Sequence, residues 1–163
     1  MSISKRVQRY LTSMDIPFEV IHHQKSEDTL QTAAFAKIPP MSIARAVILE
    51  DQEGQHLMAI VPGSDRVRLT RLSKLAGREL SLVTEANLAK LFNDCDTGAI
   101  PALGPAFQVE TWFDHCLLKQ DRLYIESGDH QCLLELSRAD FERAMEQCNQ
   151  GEFSELDGGE IQL

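Results

Sequence analysis

The chain has 163 residues, 43% of them hydrophobic and 25% charged, and a formal net charge of −9. That length fits one domain whose core is large enough to fold without disulfide or metal staples, and its longest apolar runs, about five residues, fall far short of the roughly 20 that a membrane span needs. Residues 1–100 hold 12 basic and 12 acidic side chains and residues 101–163 hold 4 and 13, a balance poorly suited to wrapping duplex nucleic acid, so no DNA partner is expected, and no membrane is expected either.

The N-terminal MSISKRVQRYL has basic residues but no apolar stretch behind them, so it is not read as a signal peptide, and a cytoplasmic protein is expected. Residues 4–14 predict an amphipathic helix, with Val7, Tyr10, Leu11 and Met14 on one face. Phe18, Val20 and His22 alternate as in a strand. Thr29 is read as the cap of a short helix that runs to about Lys37 and is stopped by Pro39-Pro40. ARAVILE (44–50) and HLMAIVP (56–62) flank the turn DQEG and predict a hairpin. A helix from Leu69 to Ala76 ends at Gly77, ELSLV is a short strand, and Thr84 caps a helix through Phe92.

After the loop DCDTGAIPALGP (94–105), FQVETWF reads as a strand, and RLYIES and QCLLEL form a second hairpin around Gly128-Asp129. Ser137 caps a last helix, with Asp140 as its capping-box acid. Residues 1–148 are read as one domain. Residues 149–163, with four acids, three glycines and little to bury, are read as a frayed tail. Adjacent hairpins mixed with short helices give the α+β class: one domain with a curved, mixed, largely antiparallel sheet and helices packed around it.

Several chemistries find no motif. GxGxxG, Walker A, HExxH and GxSxG are all missing, so no cofactor is expected. The four cysteines, at 95, 116, 132 and 148, have no CxxC spacing and are read as free thiols in a reducing compartment. His115-Cys116 and His130-x-Cys132 could meet as metal ligands or stand as buried cysteines beside surface histidines; no metal is expected. RVRLTRLSKLAGR (66–78) carries five cations and no acid, either as a basic patch or as a solvated helix face.

The series TLQTAAFAKIPPMSIARAVILED, MAIVPGSDRVRLTRLSKLAG, LVTEANLAKLFNDCDTGAIPALG and LYIESGDHQCLLELSRADF, in this order over about residues 18–145, resembles the YbaK-like family, also called the prolyl-tRNA synthetase-associated editing domain. The resemblance implies a single-domain α+β hydrolase that cleaves the ester of a mischarged tRNA, with the aminoacyl-tRNA 3′ end and a small amino acid as partners. It also implies that the glycine–proline loop forms part of the amino-acid pocket. Here the proline stands three residues after Gly98 rather than four. Glycine lets the backbone approach a ligand, two backbone N–H groups can hold a carbonyl oxygen as it becomes negative, and Ile100, Pro101, Ala102 and Gly104 would leave room for a small side chain.

Where catalytic members carry a lysine, this chain has Arg45. Arginine stays protonated and cannot serve as a base, but it can hold a phosphate or carboxylate through two hydrogen bonds. Arg45, Gly98 and Ala99 are therefore the candidates for the chemistry. His23, Thr29, Asp114, Gly128 and His130 join the loop residues as candidates for substrate binding. No residue reads as a nucleophile, and the resemblance implies that a ribose hydroxyl of the tRNA end orients the water. The alternative is a binding module that kept the pocket and lost the reaction.

Overall fold

A computed structural model of the chain describes residues 3–96 and 98–156. The helices are α1 (Lys5–Ser13), α2 (Thr29–Ala36), α3 (Leu69–Ala76), α4 (Glu85–Leu91) and α5 (Arg138–Ala144). The strands are β1 (Glu19–His22), β2 (Ile43–Glu50), β3 (His56–Pro62), β4 (Asp65–Val67), β5 (Ser81–Leu82), β6 (Glu110–Asp114), β7 (Arg122–Glu126), β8 (Cys132–Ser137), β9 (Asn149–Gly151) and β10 (Ser154–Leu156). Among the described residues, eight strands make one mixed sheet in the order β1-β8-β7-β2-β3-β6-β9, with β5 beside β2, and β4 pairs with β10 in a small second sheet. The hairpins β2–β3 and β7–β8 are antiparallel, and parallel pairings β2–β7, β3–β6 and β6–β9 join them into one surface. The α+β reading holds.

Both faces of the sheet are covered, so central β2 shows no clean alternation of burial. Ala44 and Ile48 face the main core with Val7, Leu11, Ile125, Leu134 and Phe141. Leu49 and Leu57 face a second core closed by Leu72 of α3 and by Phe153. Ile43 and Leu133 pack against Ala33 of α2 in a third cluster.

Local rules place most element ends. Ser4, Thr84 and Ser137 cap α1, α4 and α5 by accepting from the third backbone N–H beyond. For α2 the cap is Asp28, whose Oδ1 accepts from Gln31 N at 2.8 Å. Thr29, expected to cap, is the first helical residue, because Asp28 offers the better acceptor one position earlier. The strand expected from Phe107 begins at Glu110. Gly104–Phe107 forms a 3-10 turn instead, closed by Gln108 at φ 58°.

The larger correction concerns the C-terminus. The expected frayed tail is ordered through Leu156: β9 extends the main sheet beside β6, β10 pairs with β4, and Phe153 is fully buried. Asp114 is the reason. Its carboxylate, 1% exposed, accepts from Phe153 N and Ser154 N, both at 2.8 Å, and from Cys116 N at 2.9 Å. Burial alone would raise this carboxyl, but the hydrogen bonds outweigh it and hold it below its ordinary value. Residues 157–163 of the expected tail lie outside the described residues.

Removing a buried phenyl ring leaves a cavity that a docked tail cannot fill. Phe153→Ala should lower unfolding free energy by about 3–5 kcal/mol, read from urea denaturation. A loss under about 0.5 kcal/mol, the usual size for a surface change, would mean that the tail is not docked.

Candidate functional site

The site forms where β2 and β7 part. Their ladder ends at Ala44–Ile125. The next positions, Arg45 and Glu126, stand on the sheet face that also carries Ile43 and Tyr124, because side chains alternate along each strand. Helix α2 covers this face beside Glu126. At the strand ends, the β7–β8 turn (127–131) meets the loop that follows α4: Asp96 N donates to Gly128 O at 2.7 Å. A Cβ on Gly98 would stand 3.3 Å from His130 Nε2, so the glycine backbone lies against the histidine ring. Gly98, Gly128 and His130 all have positive φ, at 85°, 122° and 60°. Glycine takes such angles freely, whereas His130 takes its angle at a cost.

Beneath this contact lies a chain of buried polar groups. The Ser26 and Thr32 hydroxyls share a hydrogen bond at 2.5 Å, Ser26 N donates to His130 O, and the Thr32 hydroxyl lies 3.0 Å from Asp28 O and 3.4 Å from Glu126 Oε2. Asp129 Oδ1 accepts from Ser127 Oγ and Gln131 N. Glu126 is 4% exposed, and its Oε1 has no hydrogen-bond partner among the described residues. Burial pushes its carboxyl up to about 8, helped by the charge of Asp129 and opposed by Thr32.

The loop is held from below by α1. Asp94 accepts from Arg6 Nη2 and from the Ser4 hydroxyl, each at 2.6 Å, and Arg6 chiefly holds this carboxyl down at about 2. Ser4 N donates to Ser127 O, and the Arg6 guanidinium lies 4.4 Å from the Phe107 ring centroid. One turn of helix thus grips both ends of the loop and the β7–β8 turn.

Of the residues expected in the site, Gly98, Gly128 and His130 come together. His23 adjoins them: its N–H donates to Gln131 O, and its Nδ1 lies 2.7 Å from Gln24 O. The rest of the loop turns inward. Ala99 and Ala102 are fully buried, Ile100 and Pro101 nearly so, and the Ala99 N–H donates to Asp96 O, closing a turn. Gly104 is needed because a Cβ there would stand 1.6 Å from Thr111 Oγ1. The Thr29 methyl packs against Gly63. Asp114 lies on β6, two strands beyond β2, and holds the C-terminal strands rather than lining this mouth. Half-buried Arg45 stands on the site's face of β2, and its guanidinium donates to Asp65 O at the start of β4.

Glu126, Ser26, Thr32 and the Arg6–Asp94 pair were not expected from sequence. Arg122, Tyr124 and Glu126 alternate with Leu123 and Ile125 and read as a solvated strand face; only the covering helix makes Glu126 internal. Thiol chemistry has no support, because burial above all pushes Cys95 and Cys116 up to about 12 and Cys148 to about 11. Among the described residues no three metal-ligating side chains gather, and no helix is long and apolar enough to cross a membrane.

A carboxyl with a raised folded pKa keeps its proton on folding, so stability is greatest below the ordinary value near 4.5 and falls as pH rises toward about 8. Glu126→Gln should remove that slope, at most about 1.4 kcal/mol per pH unit, and should be more stable than the parent at pH about 8 by thermal unfolding. An unchanged slope would mean that Glu126 is ionised in the folded state.

The description "aminoacyl-tRNA editing domain" belongs to a family model that matches residues 23–144, the span that holds α2, β2, the loop and the β7–β8 turn. A search of curated proteins finds no match. Among solved structures, the hypothetical protein APE2540 superposes with a TM-score of 0.82 at 19% identity, over 93% of this chain and 100% of its own. A candidate trans-editing enzyme for prolyl tRNA synthetase gives 0.79 at 17%, over 93% and 96%. A candidate signal transduction protein from Marinobacter aquaeolei VT8 gives 0.74 at 23%, over 96% of this chain but 31% of that larger one. These likenesses show a shared fold, and the family model covers most of the sequence: the chain belongs to the aminoacyl-tRNA editing domain family.

Proposed function

We propose that this chain is a cytoplasmic YbaK-like trans-editing hydrolase that removes a small, wrongly attached amino acid from tRNA. The observation that carries the reading is the meeting of the 94–105 loop with the β7–β8 turn, Gly98 against His130, beside a family-matched strand that bears a cation at Arg45. Within that mouth the ester carbonyl lies over the exposed Gly98 backbone. Ala99 N–H is engaged in its turn, so the second donor to the developing oxyanion comes from outside the loop. Water adds to the ester carbon, the bond from carbon to the ribose oxygen breaks, and that oxygen leaves with a proton to give free amino acid and tRNA. A neighbouring ribose hydroxyl orients the water, in keeping with a site that has neither a thiolate nor a serine–histidine pair. His23 and His130 flank the terminal nucleotide, and Arg45 holds its phosphate. Ala99 and Ala102 are fully buried and shape the loop rather than touch the substrate, so size selection falls to the approach between Gly98 and His130, where each excess methylene costs a substrate about 1–3 kcal/mol.

A second reading has one observation in its favour. The Arg45 guanidinium is already bonded to the Asp65 carbonyl, as in a binding module that has lost the reaction. Deacylation of a panel of mischarged tRNAs separates the two. For an enzyme adapted to arginine, Arg45→Ala lowers kcat/KM roughly 10- to 150-fold, the worth of a charged hydrogen bond, and Arg45→Lys lowers it as well. For a degenerate member, the parent is inactive and Arg45→Lys creates activity. Parent activity that neither substitution changes would remove Arg45 from the site.

A further inference from the structure

The basic run 66–78 has no part in the chemistry above. In the fold it forms β4 and α3. Arg66, Arg68, Arg71 and Lys74 are exposed and line one side of a cleft of about 630 Å³, which Glu155 of β10 enters from the other. Two of the cations meet acids of the C-terminal strands: Arg66 with Glu155 at 2.9 Å and Arg71 with Glu152 at 3.5 Å. All four partners are about half exposed or more, with side chains 43–67% accessible. Such pairs are weak and exchangeable. A phosphate offers arginine the same two-oxygen acceptor with more charge. The cluster stands out because the chain as a whole carries −9. It is also continuous with the editing mouth: Arg45 donates to the carbonyl of Asp65, the residue before Arg66.

We infer that the β4–α3 cleft is the docking surface for the phosphodiester backbone of the tRNA acceptor stem. The inference rests on the editing reading for the identity of the RNA and on the cleft's own charge for its place. An acceptor end seated by Arg45 leaves the mouth past Asp65, meets Arg66 on β4 and Arg68 at the start of α3, and follows Arg71 and Lys74 along α3, whose eight residues span about 12 Å. Glu152 and Glu155 hold the arginines in position while the cleft is empty and yield to phosphate when it fills.

The test is fluorescence anisotropy with uncharged tRNA on the full chain, which needs no catalysis. Four phosphate contacts predict that affinity falls roughly 50- to 150-fold between 50 and 200 mM salt. The paired reversal Arg68→Glu/Lys74→Glu, both on exposed positions, should weaken binding at least about tenfold at low salt and lower the salt slope by about 2. Glu152→Gln/Glu155→Gln should tighten binding severalfold. Unchanged affinity and slope in the paired reversal would overturn the inference. So would intact tRNA binding with lost binding to phosphatidylglycerol vesicles, which would make the cleft a membrane surface. Deacylation by the unaltered chain is measured in parallel. Its absence would sink the editing reading, while the cleft is still judged on uncharged tRNA alone.

Discussion

The Asp94 carboxylate ties three distant parts of the chain together. It accepts from Arg6 and Ser4 of the first helix, while Ser4 N holds the Ser127 carbonyl and Arg6 lies on Phe107. The loop between these clamps is also anchored from within, by Ile100, Ala102 and Leu103 in the main core. Helix α1 thus adds to the Asp96 N–Gly128 O bond in fixing Gly98 against His130, and a loop ordered in advance spares the substrate part of the cost of binding. The network is partly exposed, so its worth lies in geometry more than in energy.

A similar economy governs the other end of the sheet. Asp114 takes three backbone N–H groups that would otherwise lack partners at a strand end, and in doing so it turns a short acidic segment into two strands. The second core depends on this, since Phe153 closes it against Leu49, Leu57 and Leu72. The acids that make the segment look like a solvated tail are also the residues that meet Arg66 and Arg71. One stretch thus serves the core with its ring and the basic cleft with its charges.

The regular elements were legible because their signals are local. Hairpins at 44–62 and 122–137, the helix at 69–76 and the caps Thr84 and Ser137 follow from periodicity and turn chemistry over a few residues. Thr29 was misread because Asp28 and Thr29 are both good caps, and only backbone geometry decides between them. The order of 149–156 was not legible: β9 pairs in parallel with a strand more than 30 residues earlier, and no local pattern announces a long-range parallel partner. At the site, Gly128 and His130 were legible in the turn ESGDH and Gly98 in the loop DCDTGAIPALGP. Glu126 was not, because the same alternation marks a face open to water and a face beneath a helix. Arg45 was visible as a cation on an apolar strand, but the carbonyl it engages lies 20 positions on.

The parallel pairings have a kinetic meaning. β2–β7, β3–β6 and β6–β9 each join strands that are far apart in sequence, and closing such loops must precede any reward from the contact, which makes non-local sheets slow to form. Helix α1 precedes the other described elements in the chain, yet it is anchored to residues 94, 127 and 143. During synthesis it must wait, its apolar face uncovered, until most of the chain has emerged. The mouth beside Arg45 is accordingly assembled late in folding, after the hairpins on either side of it.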